Sequence, residues 1–195
     1  MVEVAVSLIF LMTAANGGES LRSPDSRIQA DTKHAPAEMT LAANSTATIA
    51  KIERAFATDS PWPKKFAVSG AYDEEQIDND FARLWHEGDR EEIIRRNRNS
   101  LHALNVEAFV RLLPFYLRFG LANPKSEIMD FVVYFFDRNS ERTQSIRERL
   151  HLLSQQQIEV LKRALLDFRD ASSEKDDFMA KQIETAIATI DQLTR

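Results

Sequence analysis

The stretch that decides the fold runs Asn123-Pro124-Lys125-Ser126-Glu127-Ile128-Met129-Asp130-Phe131-Val132-Val133-Tyr134-Phe135-Phe136. Its second half, Phe131 to Phe136, is apolar at successive positions and suits a buried strand as well as a buried helix. Two features favour the helix. Asn123-Pro124 places a capping residue before a proline, and a first helical turn tolerates the missing N–H. Ile128, Phe131, Val132, Phe135 and Phe136 then recur at i, i+3, i+4, i+7 and i+8, one face of a 3.6-residue repeat. Because it is apolar on nearly all sides, this helix is expected to be the central element.

The same period extends to both sides. Upstream, Asn105 opens a helix in which Leu104 and Phe109 hold the positions of a hydrophobic staple. Phe109, Leu112, Leu113, Tyr116 and Leu117 form its apolar face, and Gly120 lies near its end. Pro114 sits inside it and cannot donate to the carbonyl of Val110, so a kink is expected near Leu113. Phe109, Phe115, Tyr116 and Phe119 surround that point. Trp85 and Tyr134 are candidates to complete a pocket there, with the Tyr116 hydroxyl as its polar handle, but a packed core around a kinked helix is the favoured reading.

Earlier still, Asp73 with Gln76 has capping-box spacing, and Tyr72 with Ile77 fits the staple. Ile77, Phe81, Leu84 and Trp85 then form a buried face. Ile93 and Ile94 point inward from a short turn after Gly88. The first helix, with Ile49, Ile52 and Phe56, is expected to start at Ser45 or Thr46 and to stop at Asp59-Ser60-Pro61-Trp62-Pro63, an extended loop with an apolar anchor.

Downstream, Arg142 to Leu150 is a short basic stretch carrying Ile146 and Leu150. Ser154 with Gln157 is the clearest capping box in the chain, flanked by the staple pair Leu153 and Ile158. The last helix is expected to begin near Ser172 or Ser173 and to carry Phe178, Ile183, Ala186, Ile187, Ile190 and Leu193 as its stripe. The reading is an all-α compact bundle of about six helices, kinked at Pro114, over residues 46–195.

Composition agrees. The 195 residues are 44% hydrophobic, with twelve Phe against five Gly and six Pro, which argues against disorder and turn-rich β folds. A net charge of −5 argues against a general nucleic-acid binder. No cysteine is present, which removes disulfides, thiol nucleophiles and Cys-ligated metal.

Residues 1–15 carry the apolar run Val4 to Met12, too short for a bilayer span but of signal-peptide length. Glu3 stands where a signal sequence carries Lys or Arg. Three readings stay open. The segment is a signal peptide cut near Ala15, or part of the fold, or lies upstream of a true start at Met39. The protein is exported or periplasmic in the first case and cytoplasmic in the third. Residues 16–45, without apolar period, read as a disordered arm.

The segment from Ile77 to Phe168 resembles a bacterial all-helical family known as a domain of unknown function. The resemblance is carried by Phe109, by Leu113-Pro114-Phe115-Tyr116-Leu117 and by Leu153-Ser154-Gln155-Gln156-Gln157, with Phe81 and Trp85 upstream. It implies an all-α domain and supplies no activity. The long N-terminal arm departs from the family's pattern.

No constellation of known chemistry stands out. His34, His86, His102 and His151 are dispersed, without metal-ligand spacing. Asp73-Glu74-Glu75, Glu91-Glu92 and Asp176-Asp177 sit in expected first helical turns, where the helix dipole accounts for them. Neither catalytic nor metal-binding residues are assigned, and no cofactor is expected.

Two arginine clusters are less easily explained. They are Arg90, Arg95, Arg96 and Arg98, and then Arg138, Arg142, Arg147 and Arg149. Interleaved acids favour salt-bridged solvent faces over a docking surface. The functional alternative is a docking surface for an acidic partner or phosphate, and on it, together with the pocket at Pro114, the candidate binding residues are Arg95, Arg96, Arg98, Trp85, Tyr116 and Tyr134.

The expected function is a non-enzymatic module that binds a protein partner, with no nucleic acid and no membrane span. The alternative is an enzyme with a diffuse polar site near His86, His102, Tyr116 and the arginines. A nucleic-acid accessory role is the weaker alternative.

Overall fold

The computed structural model describes residues 35–137, 143–171 and 177–195, except for the side chains of residues 35–43 and of Leu84. Residues 1–34, with the leader and most of the arm, lie outside the described residues. So do Arg138, Glu141, Arg142, Ser172, Ser173 and Asp176.

The described residues form an all-α fold. The helices are α1 (Ala35–Ala55), α2 (Glu74–Asn79), α3 (Trp85–Glu87), α4 (Arg90–Arg96), α5 (Val106–Ala122), α6 (Ile128–Phe136), α7 (Thr143–Leu150), α8 (Gln155–Ala171) and α9 (Asp177–Leu193). A π turn, Asp80–Leu84, joins α2 to α3, and 3-10 turns occupy Ser100–His102 and Pro124–Ser126. One antiparallel bridge, Ala67 with Leu104, ties the loop after α1 to the entrance of α5.

Helix α1 begins at Ala35, earlier than the expected caps Ser45 and Thr46, so residues 35–45 of the expected arm are helical. The alanine-rich run and the proline in its first turn favour this start.

Capping explains several other boundaries. Asn105 accepts from the Ala108 N–H at 2.9 Å while its amide donates to the Lys65 carbonyl at 2.7 Å. Ser154 and Gln157 close their box reciprocally, at 3.2 and 2.9 Å. Asp89 caps α4 by accepting from Glu91 and Glu92. The box expected at Asp73 does not form, because its side chain makes no cap bond. Tyr72 is fully exposed and staples nothing. Asp78 does the local work instead, accepting from the Phe66 and Ala67 N–H groups at 2.7 and 3.0 Å.

The Asn123 segment is split. Pro124–Ser126 form their own turn, Glu127 adopts a left-handed φ of 62°, and α6 starts only at Ile128. That leaves α6 with 9 residues, with Tyr134 exposed and Phe131 only half-buried. The central element is therefore α5, which packs against α1, α4, α6, α7 and α8. It runs as one α-helix through Pro114. Gly120 lets it approach α6, since a Cβ there would stand 2.5 Å from Met129 Cγ.

The core around α5 includes Trp85, Tyr116, Phe66, Phe81, Phe109, Phe136 and Phe168, all essentially without solvent contact. Ile183, Ala186, Ile190 and Leu193 of α9 are buried as their spacing predicts, whereas Phe178 is exposed.

Candidate functional site

Helix α5 presents a second face opposite its core stripe. Glu107, Arg111, Pro114 and Arg118 recur at i, i+4, i+7 and i+11, so they share one side of the helix. Val110 and Phe115 flank them. This face forms one wall of a groove of about 670 Å³. Glu53 of α1, Phe56 just past its end, Thr58, Ser60, Pro61 and Trp62 of the following loop, and Leu152 and Gln157 at the entrance to α8 complete it.

Trp62 shapes the groove. Two flanking prolines restrict the backbone, and the indole folds inward between them. It stacks on Trp85, with centroids 5.6 Å apart and planes 17° from parallel. Its Nε1–H donates to the Phe81 carbonyl at 3.1 Å. Phe115 meets Trp85 edge-on at 4.7 Å. Trp85 itself is buried, a core support for the groove rather than a surface for ligand.

Two arginines border the aromatic floor. The Arg111 guanidinium lies 5.1 Å from the Trp62 ring centroid and donates to the Ser60 carbonyl at 2.9 Å. Arg118 lies 5.9 Å from both Phe115 and Phe119 and pairs with Glu53 at 3.0 Å. Gln157 braces the far side, donating to the Ala55 carbonyl at 3.2 Å. The surface is thus apolar at its base and bears fixed charge at its edges, as ligand clefts commonly do.

The candidate residues from the sequence do not converge on this groove. Tyr116 is buried, and its hydroxyl donates to the Asn97 carbonyl at 2.6 Å. Burial pushes its pKa well above the ordinary tyrosine value. Tyr134 stands on another surface, against Phe131, lining a shallow depression of about 220 Å³ with His102 and Phe135. His86 touches Trp62 edge-on, while His102 lies in the 3-10 turn after α4.

The first arginine cluster is engaged within the fold. Arg95 pairs with Glu92 at 2.7 Å, both exposed. Arg96 grips the buried Asp80 through two bonds, at 2.7 and 3.1 Å, and Asn97 adds a third at 2.7 Å. Arg98 reaches Glu127 at 3.4 Å and covers the Phe131 ring at 5.5 Å.

Arg149, expected on a solvent face, is instead buried. Its fork donates to the carbonyls of Ser145, Leu104 and His102 and to the Ser145 hydroxyl, and it packs over Phe109 and Phe135. Desolvation lowers its pKa, with Glu148 partly opposing that shift. A second depression, of about 530 Å³, lies over it between Tyr72, Asn99, His102 and Ser145.

Among the described residues no cluster of three or more His, Asp or Glu could hold a metal ion. Within the same residues no helix is long and apolar enough to cross a membrane. Arg111 and Arg118 escaped the sequence reading, which followed the core face of α5. The stripe at i, i+4, i+7 and i+11 was the signal that could have found them. Comparison of the chain with known family models, with characterised proteins and with solved structures finds no match.

Proposed function

We propose that this chain is a non-enzymatic interaction module that receives a segment of a partner polypeptide in the groove over Pro114. One observation carries the reading. The groove has an aromatic base made by Trp62 and Phe115, is braced by bonds to the Phe81, Ser60 and Ala55 carbonyls, and is bordered by charged side chains of both signs. Aromatic and arginine side chains are the residue types that dominate polypeptide recognition. Leu152, 57% exposed at the rim, extends the apolar surface outward. The resemblance to the bacterial helical family belongs to this proposal as well. It rests on Phe109, Leu113 to Leu117 and Leu153 to Gln157, and it supplies no partner.

The test is selection of random displayed peptides on the full chain, counter-selected against a Trp62→Leu variant. Enrichment of sequences that bind the wild type and are lost on the variant is expected. Peptides that bind both equally, or no enrichment at all, would remove the reading.

A further inference from the structure

Resting on the interaction reading above, we infer that the groove selects an acidic peptide. An apolar side chain sits among Phe56, Trp62 and Phe115, and a neighbouring carboxylate pairs with Arg111.

Charge accounting at the groove leads there. Glu53 is already matched by Arg118 at 3.0 Å. Among the described residues Arg111 has neutral hydrogen-bond partners only, the Ser60 carbonyl at 2.9 Å and the Thr58 carbonyl at 3.5 Å, the second at the limit of a hydrogen bond. The Nε atoms of Arg111 and Arg118 are both buried without an acceptor, and both side chains line this groove. Those two atoms are out of a ligand's reach, but among the described residues Arg111 is the groove guanidinium without a carboxylate partner. A carboxylate is the partner a guanidinium binds most strongly among peptide groups, and the low-polarity aromatic base strengthens that pairing.

Direction follows from the remaining acid. Glu107 is exposed one turn before Arg111 and, as a like charge, repels a ligand carboxylate at that end. The acid of the ligand thus lies toward Arg111 and Arg118, away from Glu107.

The experiment is a fluorescence anisotropy titration of the selected peptides against the full chain. The peptides are expected to carry Asp or Glu beside an apolar residue. Replacing that acid by its amide weakens binding about ten-fold, and Arg111→Gln removes the difference between the two peptides. Glu107→Gln tightens the acidic peptide about two-fold, and added salt weakens it. Arg111→Lys is the second variant, since it keeps the charge if Arg111→Gln fails to fold. With it the preference for the acidic peptide must persist at reduced strength.

Selected peptides without acids, lost on Trp62→Leu but unaffected by Arg111→Gln, would overturn the acidic preference and leave the groove reading standing. An absence of groove-dependent peptides overturns both. Competition by a single-stranded oligonucleotide as strong as that of the acidic peptide also overturns the inference, because the groove would then be reading phosphate.

Discussion

The Trp62 indole donates its Nε1–H to the Phe81 carbonyl at 3.1 Å, and Phe81 lies in the π turn between α2 and α3. A π turn disrupts the regular i to i−4 ladder, and such turns tend to occur where a fold builds a site. Here an acceptor in the turn holds the aromatic residue that forms the groove base. Trp62→Phe keeps a ring in the stack and loses the bond, so stability should fall by about 1 kcal/mol. Urea unfolding followed by circular dichroism checks this. An unchanged midpoint would mean that the bond contributes nothing net.

Asp80 is buried and accepts from Arg96 and from Asn97, whereas the Arg96 side chain is 46% exposed. Removing the acid leaves Asn97 without one of its acceptors and frees Arg96 to reach water. Asp80→Ala should therefore cost about 2–3 kcal/mol, below the range for a pair in which both charges are buried. A double-mutant cycle with Arg96→Met measures the coupling between the two. Coupling near zero would return Arg96 to the pool of residues available for a partner.

The two capping-box spacings test how far sequence reading reaches. Ser154 and Gln157 close their box, and Leu153 and Ile158 are buried beside it. Asp73 and Gln76 have the same spacing, yet the Asp73 side chain makes no cap bond and Tyr72 points fully into solvent. Ser154→Ala should cost about 1 kcal/mol, and Asp73→Ala should change stability by no more than a few tenths. Thermal melts of the two variants side by side decide it.

That contrast shows what was legible. Local rules of spacing located Asn105, Ser154 and the buried stripes of α5 and α9, because those signals need only a few residues. The burial of Arg149 was not legible, since the Leu104 and His102 carbonyls that hold one arm of its fork are distant in sequence. The groove was half legible. Pro114 and Phe115 drew attention as a proline among aromatics, but the partners that make a cleft of them, Trp62, Glu53 and Gln157, come from three other segments. The helical period also could not rank α5 above α6, because the left-handed residue Glu127 shortens α6 and no residue type there announces it.

Gly120 carries a close approach between α5 and α6. A Cβ at this position would meet Met129 at 2.5 Å from Cγ, 3.0 Å from Sδ and 3.2 Å from the backbone nitrogen. The thioether can swing away, but the backbone nitrogen belongs to α6 and moves only with its helix. Gly120→Ala should cost about 1–3 kcal/mol despite the gain in helix propensity. Pairing it with Met129→Ala removes the side-chain clash and leaves the backbone one. If the double variant loses no less than the sum of the two single losses, the strain lies in the α5–α6 backbone spacing.

Tyr116 gives a prediction in pH. Its phenol is buried, it donates to the Asn97 carbonyl, and burial raises its pKa above the ordinary value of 10.0. The folded state therefore holds this proton more tightly than the unfolded state. Below a pH of about 10 the contribution to stability is complete, and it declines as pH rises beyond that, because only the unfolded chain releases the proton. Among the three tyrosines of the chain, one phenolate absorbance step should coincide with loss of the helical signal in an alkaline titration. Tyr116→Phe should remove that step and lower stability near neutral pH by about 1 kcal/mol, leaving the Asn97 carbonyl without this donor. A phenolate step that precedes unfolding and vanishes in Tyr116→Phe would place the hydroxyl in contact with solvent, and the link between its burial and alkaline stability would be lost.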